Sequence, residues 1–433
     1  MTPGEVFALM FGTFAALIVL RIPVAFALGL ACIPIFILDD RLTPVLLISE
    51  MAKSYNAFIL LAVPFFLLAA NIMNSAGITE RLMAFTRTLV GHFRGGLAQV
   101  NVVVSMLFAG ISGSSTADAA GEGSIIIPAM RRQGYDASFT VAITACSSVM
   151  GVIIPPSILM VVWGGVMSVS IGGLFLAGFV PGILVGLSQM VAVYVYARVR
   201  GYPVYTRATI GEFFSSLGQA SLALMSPIIV VGGVVGGFVT PTEASVLAVL
   251  YSLFVGLFLY RSLSFRQVPA VLYETARLAS TSLFCIGTAS AFAWLLAYYQ
   301  IPKAVVQALA PWAVGVASTG FIMAGIFLII GCFIDAVPAI IILGPLLQPL
   351  AQSASMHPIH FAIIGVVSMA FGLVTPPYGL CLLIDCAIAR IRVRDAIRDV
   401  LIILLPMLVV LVLIIMFPGM ILALPRWLMP KFV

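Results

Sequence analysis

Long runs of apolar residues, separated by short basic or glycine- and proline-rich segments, make up most of the chain. Runs of about 20 apolar residues have the length that crosses a lipid bilayer as an α-helix. The pattern therefore predicts an all-α polytopic membrane protein with ten spans. These lie near residues 3–20, 22–38, 56–74, 137–168, 171–197, 213–237, 243–260, 275–299, 358–388 and 399–423.

Two pairs of shorter apolar segments, at 95–133 and 313–352, depart from this pattern. Each segment has about 16 residues and reaches only ~24 Å as a helix, which is too short to cross a bilayer comfortably. Polar or small residues separate the members of each pair, at 112–115 (the first tip) and 331–338 (the second tip). We therefore predict two re-entrant hairpins whose tips end near the middle of the membrane.

Two of the predicted spans are also interrupted. Residues 137–168 contain Gly151-Val-Ile-Ile-Pro-Pro-Ser157 (the first break), and residues 358–388 contain Gly372-Leu-Val-Thr-Pro-Pro-Tyr-Gly379 (the second break). Glycine and proline at these positions predict that each span is a broken helix.

The tips and breaks recur in the same order in both halves of the chain. Asp335 follows Asp118 by 217 positions, and Gly372 follows Gly151 by 221. The recurrence predicts a first repeat at 1–200 and a second at 212–425, each with five spans and one hairpin. Interrupted apolar segments at corresponding positions of two halves point to the binding site of a transporter.

The distribution of Lys and Arg predicts the orientation of the protein in the membrane. The chain is 62% hydrophobic and only 8% charged, against about 25% charged in soluble domains. Sixteen of the 21 Lys and Arg fall at one set of span ends, which are therefore cytoplasmic. This bias inverts the second repeat, opens the first hairpin to the cytoplasm and opens the second to the periplasm. The five basic residues at the outer ends are Arg41, Lys53, Lys303, Arg426 and Lys431.

The same composition argues against other classes. No basic cluster with interleaved aromatic residues indicates a nucleic-acid partner, and no GxxxxGK[ST] motif indicates ATP hydrolysis. All six cysteines lie in apolar runs without a CxxC pair, which is typical of buried free thiols.

The tips and breaks are the candidate chemistry. Backbone that leaves the helical pattern inside a membrane exposes polar groups, which is tolerated only against protein, ions or water. Carbonyl and hydroxyl oxygens suit Na⁺, whereas helix N-termini favour anions. A single interruption is more often a kink that neighbouring helices stabilise, but four interruptions in matching pairs favour a binding site. The predicted Na⁺ residues are Ser112, Gly113, Ser114, Gly151, Gly331, Asp335, Gly372 and Thr375. The predicted substrate contacts are Ser115, Pro155, Pro156, Ser157, Pro376 and Pro377.

Acidic residues inside apolar sequence are functional candidates by default. Asp335 is equally compatible with a cation ligand and with a hydrogen-bond acceptor that closes the second tip. Asp118 and Glu122, one helical turn apart, are predicted to be structural, and Glu243 is predicted to cap a helix start. No Lys or Arg falls in the middle of a span, so helix ends and bound cations would have to offset the charge of an anionic substrate.

An enzyme is the main alternative from another class. Gly110-Ile-Ser112-Gly113 resembles the nucleophile motif of rhomboid-type intramembrane serine proteases. That chemistry needs a histidine base beside the serine. The three histidines map to predicted membrane edges, so the sequence favours a non-enzymatic protein.

Six motifs distributed nearly end to end resemble the large membrane (M) subunit of the tripartite ATP-independent periplasmic (TRAP) transporters, of the dicarboxylate type. They are RIPVAFALGLA (21–31), ISGSSTADAAGEGSIIIPAMRRQGYD (111–136), GVIIPPSILMV (151–161), GGFVTPTEAS (236–245), DAVPAIIILGPLLQPLA (335–351) and GLVTPPYGL (372–380).

The resemblance implies a subunit of the bacterial inner membrane that imports a small organic acid together with Na⁺. The acid would be a C4-dicarboxylate or another carboxylate, such as a sialic or sugar acid. A periplasmic (P-type) binding protein would deliver it, and a small four-helix (Q-type) membrane subunit would be a permanent partner. The family's elevator mechanism would move a transport part, about 95–168 and 313–390, against the rest as a scaffold. A stand-alone Na⁺/dicarboxylate symporter is the alternative within transport.

The resemblance also implies where Na⁺ binds. The family's sodium sites lie where tips meet breaks, which corresponds to Ser112, Ser114 and Gly151 in the first half. In the second half it corresponds to Asp335, Gly372 and Thr375. Val152 stands where members of the family often have proline.

Overall fold

The computed structural model describes residues 2–430, and that part of the chain is helical without any strand. Lys431, one of the basic residues predicted at the outer ends, lies outside the described residues. The helices are α1 (Pro3–Val19), α2 (Val24–Leu38), α3 (Pro44–Tyr55), α4 (Ala62–Ser75, preceded by a 3₁₀ turn at Phe58–Leu61), α5 (Ile78–Val90), α6 (Gly96–Ser112), α7 (Ser115–Arg132), α8 (Ala137–Ser148), α9 (Met150–Ile153), α10 (Ile158–Met167), α11 (Ile171–Arg200), α12 (Ile210–Val235), α13 (Pro241–Phe254, extended by a π-helical turn at Val255–Leu259), α14 (Val268–Tyr298), α15 (Ile301–Leu309), α16 (Val316–Gly331), α17 (Ala336–Ser353), α18 (Pro358–Gly372), α19 (Leu380–Ala389), α20 (Val393–Met416) and α21 (Pro418–Leu428).

Seven helices are long and apolar enough to cross a membrane. They are Phe58–Ser75, α11, α12, Pro241–Leu259, α14, α17 and α20. An eighth span results if Ala137–Ile153 and Ile158–Met167, which meet at 41°, count as one. The predictions near 3–20, 22–38 and 358–388 correspond to apolar helices of 17 residues or fewer. Length therefore supports six of the ten predicted spans, or seven if the bent pair counts as one span. α17 meets the length criterion although the sequence predicts it as one arm of the second hairpin.

Two features of the helix pattern differ from the prediction. α3 is absent from the predicted elements because Glu50 and Lys53 interrupt its apolar residues. The last predicted span, 399–423, is two helices, because α20 ends at Met416 and Phe417 leaves the helical conformation before Pro418. Glu243 has its predicted role: its main-chain N–H donates to Thr240 Oγ1 at 3.3 Å, while its carboxylate accepts from the Thr240 N–H at 2.8 Å.

The segments with hairpins and breaks pack against one another across the two halves of the chain. α7 lies against α8 and α19, and α10 lies against α17. Trp163 of α10 is fully buried, with its ring 5.8 Å from that of Phe327 and 5.0 Å from that of Phe361. Aromatic pairs at such distances add to the free energy of apolar burial. This core joins the first broken helix to the second hairpin.

The Asp39 carboxylate, which forms an ion pair with Arg41, links the C-terminal end of α2 to that of α14. Asp39 Oδ2 accepts hydrogen bonds from Arg41 Nη2 at 2.6 Å and from Tyr299 Oη at 2.5 Å. The Arg41 guanidinium and the Tyr299 hydroxyl hold the pKa of the Asp39 carboxyl well below its usual range. Desolvation and the same carboxylate raise the pKa of Tyr299 to about 12.

Asp39→Asn is expected to lower the melting temperature (Tm) of the purified protein near neutral pH. A carboxylate whose pKa is depressed by folding stabilises the protein above its unfolded pKa of about 3.9. That stability is lost as the pH falls towards the folded value. The Tm difference from wild type should therefore be largest above about pH 5 and shrink in acid. Asp40→Asn, at the exposed neighbouring position, is the control, and a Tm difference for Asp39→Asn that stays constant in acid would contradict the ion-pair account.

Candidate functional site

The first tip is a tight turn between α6 and α7. Gly113 connects the two helices with φ of +64°, a conformation that L-residues other than glycine rarely adopt. A Cβ at Gly113 would lie 2.8 Å from the main-chain oxygen of Pro156. The main-chain N–H of Ile158 donates to the carbonyl of Gly113 at 3.1 Å. The first tip therefore lies directly against the first break, although 38 residues of chain separate Gly113 from Gly151.

A buried carboxylate lies at this junction. Asp118 is completely buried, and neither of its carboxylate oxygens has a hydrogen-bond partner in the described part of the chain. A Cβ at Gly151 would lie 2.1 Å from Asp118 Oδ2, so the carboxylate lies on the backbone of the first break. Ser112 and Ser115, a few residues earlier in the chain, are also buried. Ser115 Oγ likewise has no hydrogen-bond partner among residues 2–430. The structural role that the sequence predicts for Asp118 stays a prediction.

The second tip and the second break are also in contact. A Cβ at Gly372 would lie 2.6 Å from the Cα of Gly331, so the two backbones touch. The main-chain N–H of Gly379 donates to the carbonyl of Cys332 at 3.3 Å. Asp335 Oδ1 accepts from the main-chain N–H of Ala336 at 2.8 Å and so caps α17. Asp335 thus has the tip-closing role, which leaves its other carboxylate oxygen free to bind a cation.

Both tips reach one cavity of about 450 Å³. Its other wall belongs to α4 and α14, which are linked by a hydrogen bond of 2.8 Å from Asn71 Nδ2 to Thr275 Oγ1. The lining residues from the hairpins and breaks are Gly113, Ser114, Ser115, Thr116, Ala117, Ala120, Val152, Ile158, Asp335, Ala336, Val337 and Leu373, with Leu159 and Ile384 behind them. Those from α4 and α14 are Val63, Leu67, Arg277, Leu278, Thr281 and Ser282.

Four predicted site residues line this cavity: Gly113, Ser114, Ser115 and Asp335. Six others lie behind its surface, at the tip–break contacts: Ser112, Gly151, Pro155, Pro156, Gly331 and Gly372. Ser157 Oγ donates to the carbonyl of Val152 at 2.6 Å and accepts the first-turn N–H of Met160, so it caps α10.

The second break holds the remaining predicted residues. Thr375 Oγ1 donates to the carbonyl of Phe371 at 2.7 Å, in the last turn of α18. Pro376 is half-buried and Pro377 is exposed, and neither lines the cavity. The assignment of these residues to sodium and substrate stays a prediction.

Three features of the site have no counterpart in the sequence prediction. Asp385 of α19 is buried, and its oxygens have no partner among residues 2–430. It lies against α7, where a Cβ at Gly123 would come within 2.4 Å of Asp385 Oδ1. The rule that flags acids within apolar sequence would have found it. The other two features are the charge of Arg277 and the hydroxyls of Thr281 and Ser282, which only the folded arrangement brings to the cavity.

The oxygens at the tips suit an alkali cation. In residues 2–430, no group of three or more His, Cys, Asp or Glu is arranged to hold a metal ion. A cation at either tip would therefore combine one carboxylate with main-chain and hydroxyl oxygens, a ligand set of hard donors.

The protease alternative has no support from the geometry. Ser112 Oγ accepts from the main-chain N–H of Ser114 at 3.3 Å. The histidines contact other groups: His360 Nε2 lies 2.9 Å from the Ile414 carbonyl, His357 Nδ1 accepts from the Ile359 N–H, and His92 stacks on the neighbouring phenylalanine. No histidine is therefore in place to act as a base for Ser112.

Comparison with known proteins identifies the family. Residues 11–420 match the family model described as tripartite ATP-independent periplasmic transporter, DctM component. The chain belongs to this TRAP transporter family. It is 36% identical to the sialic acid TRAP transporter large permease protein SiaM of Vibrio cholerae, over 93% of this chain and 95% of that protein. It is 40% identical to the C4-dicarboxylate TRAP transporter large permease protein DctM of Pseudomonas aeruginosa, over 88% of this chain and 89% of that protein.

A fused relative and a solved structure extend the comparison. The isethionate TRAP transporter permease protein DctMQ of Oleidesulfovibrio alaskensis is 36% identical over 93% of this chain and 64% of that longer protein. The YdaH transporter of Alcanivorax borkumensis has a similar fold, with a TM-score of 0.61 at 14% identity, covering 86% of this chain and 88% of that one. The protein is thus a large permease subunit of a TRAP transporter, a multi-pass protein of the bacterial inner membrane that works with other TRAP subunits.

Proposed function

We propose that this TRAP permease uses the Na⁺ gradient to import a small organic acid that a periplasmic binding protein delivers. The substrate class is a C4-dicarboxylate or another carboxylate, such as a sialic or sugar acid. A small four-helix Q-type subunit is the proposed membrane partner. The observation that carries the proposal is the junction of both tips and both breaks around one cavity, with neither Asp118 nor Asp335 in an ion pair among residues 2–430.

Sodium coupling is supported by the cost of burying charge. An unpaired carboxylate inside a protein is strongly destabilising unless a cation or a proton neutralises it. Asp118 has unpartnered oxygens at the Gly151 backbone, and Asp335 has one free oxygen at the second tip. Na⁺ would satisfy these oxygens together with the hydroxyls and carbonyls of Ser112, Ser114 and Thr375. Bound Na⁺ would also offset the negative charge of an incoming acid.

The acid itself is supported by the ends of two helices. α7 begins at Ser115 and α17 begins at Ala336, and both N-termini reach the cavity. Unpaired N–H groups at a helix start attract anions. The cavity volume of about 450 Å³ is within the range for small-molecule sites.

The proposed movement follows from the composition of the two walls. One wall is made by hairpins and breaks that share a core around Trp163, and the other by α4 and α14. We propose that residues 95–168 and 313–390 move as one body past the remaining helices, as the elevator mechanism requires. Substrate and Na⁺ would travel with the tips, and α4 and α14 would stay in place.

The direct test is uptake by the assembled transporter in proteoliposomes, with labelled succinate, N-acetylneuraminate and gluconate as probes. Uptake of at least one acid is expected to require both an inward Na⁺ gradient and the cognate binding protein. Uptake that persists without the binding protein would favour the stand-alone symporter. Equal uptake with K⁺ in place of Na⁺ would contradict sodium coupling. Covalent labelling of Ser112 by a serine-reactive fluorophosphonate would favour the protease instead.

Ser112→Ala and Thr375→Ala are each expected to raise the Na⁺ concentration for half-maximal uptake by about threefold to tenfold. Loss of one oxygen ligand to a cation removes roughly 1 kcal/mol or more, and 1.4 kcal/mol is a factor of ten. Ser221→Ala on the exposed side of α12 should leave the value unchanged. A Na⁺ response equal to wild type in both variants would remove these residues from the sodium sites.

A further inference from the structure

Arg277 lies in the wall of the cavity that belongs to α14. The four residues of α14 that line the cavity, Arg277, Leu278, Thr281 and Ser282, fall on one face, because a helix turns 100° per residue. Val271, Thr275 and Ala279 of the same helix are buried, whereas Arg277 is exposed. Arg277 is the tenth residue of α14, roughly 14 Å along the helix from its start at 1.5 Å per residue. Its side chain is therefore directed to the cavity well inside the helix end.

The charge of Arg277 is not neutralised within the described part of the chain. Its guanidinium has neither an ion pair nor a hydrogen bond to another side chain there, and Glu274, one turn earlier, does not pair with it. The hydroxyls of Ser280 and Thr281 bond to the main-chain carbonyl of Arg277 and not to its side chain. Asp335 also lines the cavity but forms no ion pair with Arg277. An unpaired guanidinium at the wall of this cavity is arranged to receive an anion.

We propose that Arg277 binds a carboxylate group of the transported acid, with the Ser282 hydroxyl as a neighbouring donor. The proposal rests on the proposed function, since it names a specificity residue of the same cavity. Guanidinium groups bind carboxylates through two parallel hydrogen bonds, a geometry that lysine cannot reproduce. The negative charge of the acid would thus be shared between the tips and a fixed arginine.

Because Arg277 lies on α14, its contact with the substrate would form in only one state of the transport cycle. α14 lies outside the segments proposed to move, so the tips would change their position relative to Arg277 during each cycle. A group that contacts the substrate in one state only stabilises that state over the other. Arg277 therefore stabilises the substrate-bound form of the conformation described here, and its loss should weaken binding without affecting the sodium sites.

The test is thermal stabilisation of the full chain in nanodiscs, titrated with succinate, N-acetylneuraminate and gluconate in Na⁺ buffer. For any acid that stabilises the wild type, Arg277→Gln is expected to raise the half-saturating concentration by about tenfold or more, as expected for loss of a charged hydrogen-bonded pair. Arg277→Lys should lie between Arg277→Gln and wild type. Arg266→Gln, an exposed arginine near the start of α14 that does not line the cavity, is the matched control.

The stabilisation by Na⁺ alone separates a binding role from a folding defect. It is expected to be equal in the wild type, Arg277→Gln and Arg277→Lys. An unchanged half-saturating acid concentration in Arg277→Gln would overturn the proposal for Arg277 and leave the proposed function standing. Equal weakening of acid binding in Arg266→Gln would also overturn it, because the effect would then be one of general charge. A wild type that none of the acids stabilises would overturn the proposed function, and Arg277 with it.

Discussion

Gly372→Ala is expected to reduce Na⁺-driven uptake by at least about tenfold. The added methyl group would lie 2.6 Å from the Cα and 2.7 Å from the carbonyl carbon of Gly331, and these are main-chain atoms that cannot rotate away. Forcing a methyl group into a packed site costs about 1–3 kcal/mol and displaces the backbone. The second break would be pushed away from the second tip, which is the contact proposed to form a sodium site. Initial rates of uptake in proteoliposomes measure the effect.

Gly325→Ala is the matched control for this substitution. Gly325 lies in α16, the helix that ends at Gly331, and a Cβ there meets nothing within 4 Å. It adds the same methyl group and should leave uptake near the wild-type rate. Wild-type uptake in Gly372→Ala would show that close contact between the second tip and the second break is dispensable for transport.

Asp118→Asn and Asp335→Asn are each expected to raise the half-saturating Na⁺ concentration by about tenfold or more. Each change removes a negative charge next to a proposed cation and keeps the size of the side chain, and ion–carboxylate contacts are among the stronger polar interactions. Asp118→Asn should also raise the Tm in Na⁺-free buffer, because it removes a buried carboxylate that has no partner among residues 2–430. The combination of higher stability without Na⁺ and weaker stabilisation by Na⁺ is specific to a ligand role.

Glu122→Gln is the comparison for both aspartates. Glu122 is as deeply buried as Asp118, one turn further along α7, and its Oε1 likewise has no partner among residues 2–430. Its Oε2, however, accepts a hydrogen bond of 2.7 Å from Ser105 Oγ. The glutamine amide oxygen can accept the same bond, so the half-saturating Na⁺ concentration should stay within about threefold of wild type. An Asp118→Asn variant that behaves like Glu122→Gln would assign Asp118 a packing role.

Local sequence was enough to predict the tips and the breaks. The helix ends there depend on residues that are close in sequence. These are Gly113 with its positive φ, the N-cap Ser114 and the prolines of both breaks. The observed helix ends at Ser112 and Gly331 therefore agree with the pattern. The cap formed by Thr240 and Glu243 was predictable for the same reason. α3 was not predictable from the apolar pattern, because an amphipathic helix between apolar spans lacks a long apolar run.

The cavity wall could not be predicted, because it depends on packing between distant elements. Arg277 is 163 positions from Ser114, and no local pattern shows that the two share a cavity. The buried contact of Asp385 with Gly123 is equally non-local. Solved transporters with a similar fold support the architecture at 14% identity, which bears on the fold alone. The inverted repeat and the moving part are proposals, and the variants above test the proposed sodium residues.

Influx of ²²Na⁺ together with the acid is the most direct test of sodium coupling. Proteoliposomes that contain the assembled transporter would hold Na⁺ at the same concentration inside and outside, with ²²Na⁺ as a tracer in the outside solution only. The binding protein, loaded with unlabelled acid, would be added outside. Sodium coupling predicts that the acid drives ²²Na⁺ inward, and that Asp118→Asn and Asp335→Asn strongly reduce this flux at Na⁺ concentrations below saturation while Glu122→Gln preserves it. Import of the acid with no accompanying ²²Na⁺ would contradict the proposal that the tips hold the coupling ion.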